Sequence, residues 1–283
     1  MKKKILLLAA CLMLALSACG EEPGEAASAP LEPSLGQSLP LESSPGASTP
    51  PETPAPEELL ARQPIDDTHD AFLVETGGKL GTLLVTAEKG EQDLESWFLG
   101  YETTLSVWNP QDMDAPIQTM AVLVDNVAFG RHEVVDANFD GNMDFSCLYL
   151  MGNGASSSFL WVWDEGIGQF VEVPEYREIS FPRCNPETEV IDGFARNSGA
   201  SDGTTTFHRW EDGQLVCIRR IETWWEPDEE IMTEEETTVH PMHITVEDRI
   251  DRELTQVYST ILDPGEDYLS ERAKWENLDY HGE

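Results

Sequence analysis

Basic residues are scarce. Only 17 Lys and Arg stand against 54 Asp and Glu in 283 residues, for a formal net charge of -37. That imbalance excludes DNA or RNA binding through phosphates, and a bare acidic surface also avoids anionic lipid headgroups. The chain has no GxSxG, no HExxH and no phosphate-cradling glycine loop. Its carboxylates are too numerous to single out an acid/base pair, because such a pair is defined by separation in space. No catalytic residue is assigned, and an enzyme reading rests on no signature.

What is present begins with an address. Lys2, Lys3 and Lys4 precede the apolar run LLLAACLMLALSA, a basic n-region followed by an h-region. The uncharged stretch is shorter than the roughly 20 residues needed to cross hydrocarbon, so it reads as an export signal over residues 1–18. It closes on Leu16, Ser17, Ala18 and Cys19, which resembles the lipobox of bacterial lipoproteins. In that family the peptide is cut just before the cysteine, and the thiol is thioether-linked to diacylglycerol. Carried over, the lipidated residue is Cys19, and the membrane is met through this anchor only. Removing three lysines and no acid takes the net charge from -37 to -40.

From Gly20 to about Thr68 the chain holds ten of its 18 prolines and no Phe, Trp or Tyr. Without large apolar groups it cannot offset the entropy of ordering, so residues 19–68 read as a disordered tether, in which EELLAR has the composition of a short helix. Composition changes abruptly near Ala71. Residues 69–283 contain every aromatic side chain, and they form the folded domain.

Short alternating apolar runs predict strands at 71–76, 82–87, 94–99, 103–108, 117–124, 131–135, 144–150, 157–164, 169–174, 189–196, 204–210, 214–221, 242–247 and 254–261. The breaks between them carry turn chemistry, such as Thr76-Gly77-Gly78 and Glu211-Asp212-Gly213. Within 69–283 the one stretch that suits a longer helix is Tyr268 to Leu278. Two hairpins share a grammar, FLWVW-DEGIG-QFVEV and TFHRW-EDG-QLVCI: a strand ends in Trp, an acidic glycine turn follows, and Gln opens the return strand. The fold class is therefore all-β, an antiparallel meander or small propeller-like domain.

The sharpest motif is DANFDGNMD, Asp136 to Asp144. Asp136, Asn138 and Asp140 occupy positions 1, 3 and 5 of a calcium loop. Asn142 supplies position 7 through its carbonyl, and Asp144 falls at position 9. A hard cation offsets the repulsion of three carboxylates in one tight turn, so Ca2+ is the expected cofactor. Position 12 falls on Cys147 rather than Glu, and the flanks favour strands, which departs from an EF-hand. The loop resembles the DxDxDGxxD turns between strands of integrin-type propeller blades, where the position-9 Asp is itself a ligand. More widely, Ile117-Gln118, Asp136 to Gly141, Asn153, Phe159 to Trp163 and Gly168 to Phe170 follow a pattern similar to a family of secreted bacterial domains. That family includes periplasmic immunity proteins that restrain peptidoglycan-cleaving toxins. The resemblance covers roughly residues 103–221 and implies a small calcium-containing, propeller-like β fold.

His240 and His243 read as a surface loop, and His132 and His208 as structural or exposed strand residues. Once the leader and the lipidated cysteine are set aside, Cys147, Cys184 and Cys217 remain, and an odd count leaves at least one free thiol. The acidic run EPDEEIMTEEET after Trp225 reads as a solvated loop. The whole gives an extracytoplasmic, lipid-anchored recognition module of the cell envelope. Its partner would be a protein such as a cell-wall hydrolase, or a cell-wall glycan. A cell-wall-directed hydrolase and a structural or assembly lipoprotein are the alternatives.

Overall fold

The structure is a computed structural model. It describes residues 54–95, 98, 100–197, 202–225, 231–232, 238–263 and 266–282. The export signal, Cys19 and most of the tether lie outside the described residues, as does most of the acidic run after Trp225.

The described chain starts with a one-turn helix, α1 (Pro56–Leu60). A four-stranded meander follows: β1 (His69–Glu75), β2 (Thr82–Asp93), β3 (Gly100–Trp108) and β4 (Gln118–Asp125). A second four-stranded meander holds β5 (His132–Val135), β6 (Asp144–Met151), β7 (Ser156–Asp164) and β8 (Gln169–Glu172). After a 3-10 turn at Pro174–Glu178 come β9 (Arg183–Asn185), β10 (Val190–Arg196), β11 (Gly203–Glu211), β12 (Gln214–Trp225), β13 (Ile231–Met232), β14 (Thr238–Val239), β15 (Met242–Ile250) and β16 (Glu253–Leu262). The third sheet has the order β16-β15-β12-β11-β10-β9, with β13 and β14 paired separately, and α2 (Tyr268–Glu276) ends the fold. Every pairing is antiparallel.

Side-chain alternation explains how the sheets stack. Phe72, Val74, Leu83, Val85, Leu105 and Val107 of the first sheet pack on Phe145, Phe159, Trp161, Trp163 and Phe170 of the second. The opposite face of the second sheet offers Leu160, which packs with Tyr176, Ile179 and the third sheet's Ile191 and Leu215. Because successive strand residues point to opposite faces, Leu160 and Trp161 are buried in two different cores. The outer faces are covered by helices. Leu59 of α1 packs on Ala71 and Leu84, while Trp275 of α2 packs on Val190, Phe207, Ile221, Ile244 and Val246.

The all-β class is thus met, but the propeller is not. The three sheets stay open, with β1 and β4, β5 and β8, and β16 and β9 as their edges. Radial closure needs enough blades to return the last against the first. Here the series stops after three sheets, and a helix ends it on each side. Half of the predicted strand at 94–99 (residues 96, 97 and 99) lies outside the described residues; at its start Glu95 donates its N–H to Asp93 Oδ1 at 2.9 Å in a bend, and β3 starts at Gly100. Strand β9 escaped prediction because three residues between Pro182 and Pro186 carry no alternation. The helix in EELLAR and the one at 268–278 both form, although α1 belongs to the domain rather than to a free tether.

One buried ion pair fixes the C-terminal cap. Arg219 is 2% exposed and uses its whole donor fork. Nε and Nη2 donate to the two oxygens of Asp248 at 2.5 and 2.7 Å, Nη1 to the carbonyls of Trp275 and Asn277 at 2.9 Å each, and Nη2 also to that of Tyr280 at 3.0 Å. Arg219→Met should cost about 3–5 kcal/mol, because it strands a part-buried carboxylate and three carbonyls. Arg219→Lys should recover only part of that, since an ammonium cannot fork. Urea unfolding midpoints check both; a loss below about 1 kcal/mol for the Met variant would remove this anchor from the account.

Candidate functional site

The loop that joins β5 to β6 closes on its own hydrogen bonds. Asp136 accepts the N–H groups of Asp140 (3.1 Å) and Gly141 (2.9 Å). Asn138 Oδ1 accepts the Asp140 N–H at 3.2 Å, while its Nδ2 donates to Asp140 Oδ2 at 2.8 Å. Asp140 Oδ1 accepts from Asn142 N at 2.8 Å. The reversal uses positive φ at Phe139 (60°) and Gly141 (89°), and only the second is free of steric cost. Asn142 rests against the β1–β2 turn, where a Cβ on Gly77 would come within 2.9 Å of its Oδ1.

The last residue of the loop does most to hold it. Asp144 is fully buried, and both carboxylate oxygens accept backbone N–H groups: Ala137 at 2.9 Å and Asn138 at 3.3 Å on one, Trp163 at 2.8 Å on the other. Burial pushes its carboxyl up to about 7, against the pull of those three donors. The same loop touches the neighbouring sheets. Met143 donates its N–H to the Glu75 carbonyl at the end of β1 (2.9 Å), and Trp210 Nε1 on β11 donates to the Ala137 carbonyl (2.8 Å). Loop 136–144 is the joint at which all three sheets meet.

The side chains expected to hold calcium are engaged within the chain. Among the described residues no three His, Cys, Asp or Glu side chains are grouped as a metal site requires. Asp136 and Asp140 serve the loop's own N–H groups, and Asp144 is turned into the protein to hold the backbone of β7. An Asx-rich turn uses the same residues to cap itself as to cage an ion.

Beside the joint lies a groove of about 570 Å³. Asn138, Asp140 and Asn142 form one wall, Asp164 and Glu165 of the β7–β8 turn another, and Val162, Val171 and Trp210 supply the apolar surface. Asp164 Oδ1 accepts the N–H groups of Gly166 (2.8 Å) and Ile167 (3.2 Å), which fixes that turn. The β11–β12 turn reaches the groove at Gly213, with Asp212 and Gly213 both at positive φ (51° and 77°), the geometry of a tight hairpin. Trp210, Asp164 and Glu165 were not singled out from sequence. The shared Trp-acid-glycine grammar of the two hairpins was the signal, since both turns border this groove.

Other expected residues fall elsewhere. Trp161 and Trp163 are core, although Trp163 also borders the groove. His132 Nδ1 meets Asp70 Oδ2 at 2.8 Å and stacks on Phe72, bridging the first two sheets. His243 lies in β15 and stacks on Trp224 rather than sitting in a loop. Cys147, Cys184 and Cys217 are free, and burial pushes all three thiols up, which keeps them protonated and unreactive. No described helix is long and apolar enough to cross a membrane.

No known protein-family model matches this chain, and no curated protein is similar to it. A solved structure described as that of a Xanthomonas Type IV secretion system related protein matches over 66% of this chain and 93% of the other. Identity is 13% and the TM-score 0.42, a likeness too weak to carry an argument. The resemblance to secreted calcium-containing propeller domains is therefore withdrawn: no family model supports it, and the sheets are open.

Two outcomes follow. Asp144→Ala leaves three buried N–H groups without an acceptor, at about 1–3 kcal/mol each, so a loss of roughly 3 kcal/mol or more is expected. Asp140→Ala on the outer loop should cost about 1 kcal/mol or less. Equal unfolding midpoints for the two would refute the joint. The second concerns His208, buried on β11, whose imidazole is pushed down to about 4, first by burial and then by Arg220. The unfolded chain takes this proton near 6.5 and the folded chain only near 4, so stability from this group is complete above pH 6.5 and falls as pH drops to 4. The loss approaches roughly 3 kcal/mol at 1.36 kcal/mol per pH unit. Asp144, with its carboxyl raised to about 7, gives the opposite slope over much of the same window. The check is therefore the difference between wild type and His208→Leu in chemical unfolding at stepped pH, which should shrink by roughly 3 kcal/mol from pH 6.5 to 4.

Proposed function

We propose that this protein is a non-enzymatic recognition module, carried on the outside of the membrane by a lipid at Cys19 and the proline-rich segment that follows it, that takes a basic protein segment into the groove beside loop 136–144. The groove carries the reading. Asp140, Asp164 and Glu165 supply negative charge next to Trp210 and two valines. A lysine or arginine side chain suits that combination, with its charge toward the carboxylates and its methylenes or guanidinium plane against the indole. The envelope setting rests on the export signal and on the LSAC sequence at residues 16–19. A net charge of -37 favours basic partners at long range and speeds their encounter.

The test uses the chain from Gly20 onward as bait for envelope extract, with and without calcium, followed by anisotropy with labelled Lys- and Arg-containing peptides. Basic peptides should bind and lose about tenfold in affinity as salt rises and the Debye length shortens from roughly 14 to 5 Å. Asp164→Asn with Glu165→Gln should weaken binding about fivefold per charge removed, near 1 kcal/mol each. Equal binding of acidic peptides, or no retention at low salt, refutes the reading. Turnover of peptidoglycan by the purified domain would make it an enzyme instead.

A further inference from the structure

The edges of the three sheets are treated unequally. Strand β1 carries His69, Asp70 and Glu75; β5 and β8 have four residues each, and β9 has three. Strand β4 turns toward the second sheet, where the Gln118 amide donates to the Phe170 carbonyl and accepts its N–H, both at 2.8 Å. These are the usual ways of blunting an edge: charge, shortness or cover.

Strand β16 has none of these three from Thr255 to Leu262, and its one irregularity is a bulge at Val257, where Val246 and Glu247 of β15 pair with Tyr258 and Gln256. Thr255 to Leu262 reads TQVYSTIL, eight residues without a charge in a chain of net charge -37. Among the described residues no strand pairs with its outer side. Tyr258 and Leu262 point to the core beneath α2, whereas Val257 is 39% and Ile261 52% exposed.

We infer that β16 is a self-pairing edge, through which two copies of this chain join antiparallel into one continuous twelve-stranded sheet. Charge selects a second copy as the occupant. A strongly acidic chain repels its own kind over most of its surface, and an uncharged strip is where two copies can meet without opposing like charges. The pattern is also self-complementary. A two-fold axis at Ser259 sets Val257 of each copy opposite Ile261 of the other, so two apolar cross-strand pairs form on the same face.

Sedimentation of the chain from Gly20 onward, which keeps every described element, tests this. A dimer should appear at about 100 μM and strengthen as salt rises to roughly 0.5 M, because screening removes the global repulsion. Ile261→Lys and Val257→Lys, both at exposed positions, should each weaken it about tenfold or more, while Ile167→Lys on the distant β7–β8 turn should leave it unchanged. A monomer at every salt concentration, or a dimer indifferent to both β16 variants, overturns the proposal. The assay needs no basic peptide, so its failure leaves the groove reading standing, and the reverse also holds.

Discussion

Three backbone N–H groups converging on one buried carboxylate hold the middle of this molecule together. Asp144 ties the start of its own loop to β7, while Met143 and Ala137 on either side bond β1 and Trp210 of β11. Each sheet has a core of its own with a neighbour, and this turn is bonded to both of the other sheets. A carboxylate suits the place because it only accepts hydrogen bonds. A neutral amide would turn an N–H toward another N–H.

Around that joint the fold behaves as a short stack. The second sheet is buried on both faces, and each outer sheet lends one face to the stack and the other to a helix. This is how a layered β structure ends without closing on itself. Arg219 serves the same end at the C-terminus, because its fork binds Asp248 on β15 and the carbonyls that follow α2. The resulting body leaves two kinds of surface: an acidic groove with a tryptophan in it, and an uncharged strand edge. They attract by opposite physics, the first weakening with salt and the second strengthening.

The functional reading and the fold draw on the same turns. Asp164 and Glu165, like Trp210 and Gly213, sit in hairpins that the sheets need for their connectivity, and the groove exists because those hairpins end beside the joint. Loop 136–144 contributes Asn138, Asp140 and Asn142 to the wall. The acidic side chains of the loop therefore both close the turn and shape a surface.

Sequence alone determined the all-β class, the place of most strands, the tight Asp212-Gly213 turn and the C-terminal helix, because alternation, turn residues and helix composition are local properties. It also marked 136–144 as special without revealing why. Tertiary structure decided the rest. It left the sheets open rather than closed, turned Asp144 toward Trp163, and brought Trp210 from 73 positions away onto Ala137. Those outcomes depend on which faces meet in space, and a period of two along a strand says which residues share a face but not what that face will touch.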